Sequence, residues 1–170
     1  MKRVILVRHA KSVPYGYDDD FNRNLTEKGK TDAEKISSEL NTMGIKPDVM
    51  ISSLAVRAIK TALIFAENLN FNKNNIQKVI EIYRGLSTSE FIELIHKQPD
   101  TANTVCFFGH NPFIEYHANQ LLKHFNGEMP TCSTVGIDFH VDSWKKVNAR
   151  TGNKAFHLVP KMFLNCDFCD

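Results

Sequence analysis

Three short runs constrain this chain most. Val4-Ile5-Leu6-Val7, Val49-Met50-Ile51 and Val105-Cys106-Phe107-Phe108 are apolar at every position. A strand with one wet face alternates polar and apolar residues, so strands without alternation are covered on both faces. Strands of that kind belong in parallel sheets flanked by helices, and Val79-Ile80 is expected to add a shorter fourth. Helical spacing fills the gaps between them. Thr26 reads as the N-cap of a helix carrying Ala33, Ile36, Leu40 and Met43, with Gly44 as its stop signal. A second helix is expected over Ser53–Asn68, with Ala55, Ile59, Ala62, Ala66 and Leu69 on one side, and a third near Ser87–Lys97 with Phe91, Leu94 and Ile95. A fourth begins with Asn111 as N-cap and Pro112 at the first helical position, continuing through Ile114, Leu121 and Leu122. Val135–Val141 then alternates cleanly, and Ala155–Val159 reads as its hairpin partner. The sum is an α/β chain whose sheet is mostly parallel with an antiparallel edge.

The 170 residues read as a single domain, long enough to bury roughly two-thirds of the unfolded surface without a disulfide or metal staple. Twenty-one basic residues against nineteen acidic ones leave a net charge of +2, with no basic stripe, so no nucleic-acid partner is expected. No apolar run approaches about 18 residues, so no membrane partner is expected either. Four apolar residues near the N-terminus fall short of a secretory leader core of about 7–15, and the expected location is cytoplasmic. In that setting Cys106, Cys132, Cys166 and Cys169 are expected to be free thiols.

In an open α/β sheet, ligands bind outside the carboxyl ends of the strands. The first strand ends at Arg8-His9, the second at Ser52-Ser53 with Arg57 one turn into the next helix, and the third long one at Gly109-His110. One histidine at a strand end is commonly a structural hydrogen-bonder; two histidines and two arginines at three equivalent ends form a pattern. The chain has fifteen lysines and six arginines, so lysine supplies its solvated positive charge. Three of the arginines, Arg8, Arg23 and Arg57, lie at these ends or in a loop leading from one. Guanidinium forks match phosphate oxygens bidentately, and helix N-termini add oriented N–H donors. The expected pocket is an anion hole for phosphate. A metal held by His9 and His110 is disfavoured, because zinc and iron sites place carboxylates or thiolates beside the histidines and neighbouring arginines repel a cation. Asp18, Asp19 and Asp20 read as a solvated acidic loop.

Val7-Arg8-His9-Ala10-Lys11-Ser12 resembles the arginine–histidine signature of the histidine phosphatase superfamily, the phosphoglycerate-mutase-like proteins. The SixA-type phosphohistidine phosphatases are the more specific resemblance. It runs through Asp20-Phe21-Asn22-Arg23-Asn24-Leu25-Thr26, Pro47–Ser53, Arg57-Ala58 with Thr61-Ala62, Gly109-His110-Asn111-Pro112 and Met129-Pro130-Thr131, to Trp144 and Pro160-Lys161. The resemblance implies a three-layer α/β/α sandwich with neither metal nor organic cofactor. It implies His9 as nucleophile, with Arg8, Arg57, His110 and Arg23 on the phosphoryl oxygens. Ala10 stands where most of the superfamily has glycine, and Leu54 replaces a frequent proline. A glutamate serves as general acid in many relatives; Glu81 is the nearest candidate here, with Glu90 an equally simple solvated helix residue.

These features imply a metal-independent phosphatase acting on a phosphorylated protein, phosphohistidine above all, or on a small phosphorylated substrate. A phosphate-binding interaction domain without turnover is the alternative from another class. Outside the site, Cys166 and Cys169 read as an incidental pair, His117 and His124 as one helix surface, and His140 and His157 as exposed strand faces. Tyr15, Tyr17 and Tyr83 are candidates for the entrance, and the Thr131 loop for the pocket mouth.

Overall fold

The computed structural model describes residues 1–16 and 19–164. Cys166, Cys169, Tyr17 and Asp18 fall outside the described residues. The three long apolar runs become strands β1, β2 and β4 of six: β1 spans Lys2–Arg8, β2 Val49–Ser52, β3 Gln77–Lys78, β4 Thr104–Gly109, β5 Thr134–Phe139 and β6 Asn153–Leu158. They form one six-stranded sheet in the order β3-β2-β4-β1-β5-β6. The β1–β4, β4–β2 and β2–β3 pairs are parallel, whereas β5 joins β1, and β6 joins β5, antiparallel. The mostly parallel sheet with an antiparallel edge is the expected architecture.

Helices cover both faces. Helix α1 spans Glu27–Thr42, α2 Val56–Asn68, α3 Ile80–Arg84, α4 Thr88–His96 and α5 Phe113–Leu121. Successive side chains of a strand point to opposite faces, and the apolar runs divide accordingly. Ile5, Val7, Met50, Cys106 and Phe108 pack with Ala33, Ile36 and Leu40 of α1 and Ala62, Phe65 and Ala66 of α2. Val4, Leu6, Val49, Ile51, Val105 and Phe107 pack on the other face with Phe91 and Ile95 of α4 and Ile114 and Ala118 of α5. Two cores, one on each side of one sheet, make the three-layer α/β/α sandwich.

Local chemistry explains several boundaries. Thr26 caps α1 by accepting from the Gly29 N–H at 3.0 Å. At Gly29 a Cβ would lie 2.1 Å from the Lys11 carbonyl oxygen, so only glycine lets the chain after β1 press against this helix. Ser87 and Glu90 form a capping box at the start of α4, which places the Glu90 carboxylate on a helix end.

Other expectations require correction. The short edge strand is Gln77–Lys78, not Val79-Ile80, because Ile80 already begins α3 and turns Ile82 into the core. Asn111 does not cap α5: Pro112 is the N-cap, without a side-chain hydrogen bond, and the Asn111 amide is directed to Met129 and Glu115 instead. Helix α2 starts at Val56 rather than Ser53, whose hydroxyl accepts from the Ala55 N–H. Cys106 and Cys132 are free and buried, as expected of thiols that serve as small hydrophobes.

Phe108 is fully buried and meets the Phe65 ring edge-on, centroids 5.3 Å apart. Phe108→Ala is expected to destabilise the fold by about 3–5 kcal/mol, read as a lower urea midpoint at constant m-value.

Candidate active site

Sheet register brings distant residues together. Arg8 of β1 lies opposite Gly109 of β4, and Ser52 of β2 lies opposite Phe108. The three strands therefore end side by side, and the chain continues into hydrogen bonds that hold the ends in step. His9 N–H donates to the Gly109 carbonyl at 2.9 Å, and Ser53 N–H to the Phe108 carbonyl at 3.0 Å. His9 and His110 face each other with ring centroids 5.2 Å apart. Arg57, in the first turn of α2, is buried beside them.

Both imidazoles are largely withdrawn from water, each 7% exposed. His9 Nδ1 lies 2.8 Å from the Ala10 carbonyl oxygen. A carbonyl only accepts, so Nδ1 carries the proton and Nε2 is left with the lone pair. Burial lowers the His9 pKa to about 4, with the charges of Arg57, Arg8 and Arg23 acting in the same direction. Burial also lowers His110, to about 3, with His9 and Arg57 adding to it. Both rings are therefore neutral at pH 7. His110 Nε2 pairs with the Ser53 hydroxyl at 2.7 Å, and the Tyr83 ring packs edge-on against it with centroids 5.7 Å apart.

The guanidiniums are held by oxygen acceptors. Arg8 Nη1 donates to the Met129 carbonyl at 2.9 Å. That loop is tied down twice more: the Met129 N–H donates to Glu115 at 2.7 Å, and the Cys132 N–H donates to the His9 carbonyl at 3.0 Å. Thr131 belongs to the same loop, which the resemblance puts near the pocket mouth. Thr61 accepts from the Ala10 N–H at 3.0 Å and donates to the Arg57 carbonyl at 2.7 Å, linking the His9 segment to α2.

Asp20 is not the solvated loop residue that the acidic run suggests. Its Oδ1 accepts from Arg23 Nε and Nη2 at 3.0 and 2.8 Å. Its Oδ2 accepts from the Tyr83 hydroxyl at 2.9 Å and from Arg57 Nη2 at 3.2 Å, while its carbonyl accepts from Arg57 Nη1. Burial works to raise the Asp20 pKa, but hydrogen bonds from Tyr83 and Arg23 together with the Arg57 charge outweigh it and hold the carboxyl at about 2. Asp20 and Ser53 are thus contact residues of the site that the acid-loop and strand-end readings did not single out, whereas Tyr83 is an entrance candidate that the structure does bring to the site. The available signal was position, because Asp20 and Arg23 are three apart on one tight turn.

Glu81 is exposed on α3, and it is Tyr83, two residues on, that reaches the His110 imidazole. Tyr15 is 80% exposed. Among the described residues, no group of three or more histidine, cysteine, aspartate or glutamate side chains is arranged to hold a metal ion.

Three histidine readings outside the site also change. His117 is buried rather than on the helix surface, stacked on Phe91 with ring centroids 4.2 Å apart, because α5 turns Ile114, His117, Ala118 and Leu121 inward. His124 lies past the end of α5 and is exposed, so the two do not share a face. His157 is half-buried and pairs with the Ser133 hydroxyl at 2.8 Å, whereas His140, just after β5, is exposed as expected.

Burial depresses the pKa of His117 to about 4, and it also depresses those of His9 and His110. The unfolded chain binds protons at these residues near pH 6.5 and the folded one does not, so stability is full above that pH and lost as pH falls toward 4. The urea midpoint is expected to drop steadily between pH 7 and pH 4.5. His117→Phe, which keeps an aromatic ring against Phe91, should make that slope shallower, and an unchanged slope would contradict the assignment.

The chain is similar to several known proteins. An uncharacterized chloroplastic protein of Arabidopsis thaliana is 28% identical over 92% of this chain and 75% of its own length. The mitochondrial serine/threonine-protein phosphatase Pgam5 of Drosophila melanogaster is 36% identical over 75 residues, 44% of this chain. That match spans about a quarter of the relative, 26% of its length. A structure from Agrobacterium tumefaciens, described as a SixA phosphohistidine phosphatase, superposes with a TM-score of 0.78 at 25% identity, covering 94% of this chain and 98% of the other. Residues 4–110, which carry β1 through His110, match the model of the histidine phosphatase superfamily, branch 1. The chain belongs to the histidine phosphatase superfamily.

Proposed function

We propose that the protein is a metal-independent phosphatase that hydrolyses phosphohistidine in proteins through a phosphorylated His9. The observation that carries this reading is the His9 tautomer: Nδ1–H is committed to the Ala10 carbonyl, so a neutral ring offers the Nε2 lone pair. Attack by Nε2 forms the P–N bond while the bond from phosphorus to the leaving group breaks, its electron pair departing with that group. Water then cleaves the P–N bond, releasing inorganic phosphate and returning the neutral ring. Arg8, Arg57 and Arg23 supply positive charge to the phosphoryl oxygens, where most of the work of phosphoryl transfer lies. His110, steadied by Ser53, gives one further contact to those oxygens and gains basicity when a dianion is bound.

The carboxylates support a substrate with a good leaving group. Asp20 is held as an anion by its arginines and Tyr83, so it has no proton to give at neutral pH. Glu115 is engaged with the Met129 N–H and the Asn111 amide, and Glu81 stands exposed on α3. An alkoxide needs a proton as it leaves, whereas an imidazole leaves near its own pKa of about 6.5. The likeness to a structure described as a SixA phosphohistidine phosphatase, and to Pgam5 as a protein phosphatase, favours a protein-borne phosphoryl group over a small metabolite.

The test is a comparison of a phosphohistidine peptide, an aryl phosphate and a sugar phosphate, each with EDTA present. Turnover should fall in that order. His9→Ala should abolish it, and acid-labile phosphate should be trapped on the parent protein but not on the variant. Arg57→Ala is expected to lower kcat/KM on the order of 10³-fold while the protein remains folded. Preference for the sugar phosphate would defeat the leaving-group argument, and phosphate binding without turnover would favour the interaction-domain reading.

A further inference from the structure

Arg57 and Arg23 do not stand free. Asp20 takes both terminal nitrogens of Arg57, one through its carbonyl and one through Oδ2, and the Nε/Nη2 edge of Arg23 through Oδ1. The remaining Arg23 nitrogen, Nη1, donates to the Ser12 hydroxyl and the Val13 carbonyl, both at 3.0 Å. Bidentate engagement of this kind is what a guanidinium offers a phosphoryl group. The carboxylate is therefore an internal anion on the clamp that the reaction requires, and the Tyr83 hydroxyl fastens it there at 2.9 Å. The Arg57 side chain is 5% exposed and that of Asp20 36%, so Asp20 is the more accessible of the pair.

We propose that Asp20 is a positioning residue that competes with phosphate for Arg57 and Arg23, setting a ceiling on anion affinity so that the product is released. The inference rests on the phosphatase reading for its purpose, but not for its measurement. A phosphoryl group arriving at the site must share Arg57 with Asp20, in repulsion between two anions. Once the P–N bond has been cleaved, the same repulsion favours departure of inorganic phosphate. With the charge removed, the arginines would bind anions more tightly and the enzyme would stall on its product.

Asp20→Asn keeps the shape and removes the charge. Isothermal titration with inorganic phosphate at low ionic strength should show affinity rising roughly tenfold, the scale of losing one like charge beside a partly screened site. Asp20→Ala should tighten binding in the same direction and serves if the Asn variant does not fold; Asp20→Glu retains the charge and should stay within about threefold of the parent. In turnover, kcat and KM should fall together in the neutral variants and product inhibition should strengthen. Asp19→Asn supplies the control. Asp19 caps the same turn by accepting from the Asn22 N–H and side-chain amide and is exposed, so it loses the same charge without a hydrogen bond to either guanidinium. Its phosphate affinity should change by less than about twofold. Weaker or unchanged phosphate binding in both neutral Asp20 variants would overturn the proposal, reducing Asp20 to a brace for the arginines. Equal tightening in Asp19→Asn would overturn it too, because the effect would then be general charge. Calorimetry needs no turnover, so an inactive protein would count against the phosphatase reading, while the affinity ratios alone judge Asp20.

Discussion

The parallel register of β1, β4 and β2 is the constraint on which the site depends. Arg8 opposite Gly109, and Ser52 opposite Phe108, align three strand ends in one row. Arg8 stands in that row, His9, Ser53 and His110 follow their strands by one residue, and Arg57 lies in the first turn of α2. A slip of one residue would turn each side chain to the other face of the sheet. The two apolar cores oppose such a slip, since Val4 and Leu6 would exchange layers with Ile5 and Val7. Core packing is thus also what holds His9 and His110 5.2 Å apart.

That placement puts charge where water is scarce, and the structure meets the difficulty in two ways. The imidazoles stay neutral, because burial and the nearby arginines disfavour a second kind of cation. The arginines keep their charge and are supplied with oxygen acceptors: the Met129 carbonyl for Arg8, and Asp20 for Arg57 and Arg23. A buried charge without a partner is costly, so these acceptors are part of the architecture. On the proposed function, an incoming phosphoryl group would enter a network already satisfied in part, and exchange, rather than simple capture, would describe its binding.

Much of this was legible before any coordinates. Continuous apolar runs implied covered strands, strand ends implied the site, and the preference for arginine over lysine at those ends implied an anion. The misreadings have physical reasons. Asp20 sits in an acidic run that composition alone cannot distinguish from a solvated loop; its role appears when a tight turn folds it onto Arg23 and α2 brings Arg57 from 37 residues away. His117 looked like a surface residue because its partner Phe91 lies on another helix. Asn111 had the chemistry of an N-cap, yet tertiary contacts with Met129 and Glu115 claimed its amide first.

By itself the sequence determined the class of fold, the end of the sheet at which the candidate site lies, and the two histidines and the arginines that gather there. Those properties follow from local periodicity and from which residues terminate which strands. Tertiary structure alone decided the protonation pattern and the partners: which His9 nitrogen is free, that Ser53 holds His110, and that Asp20 lies on the guanidiniums. Tautomers, pKa values and ion pairs depend on burial and on distances between segments remote in the chain, and these exist only once the sheet has closed and both helical layers are in place.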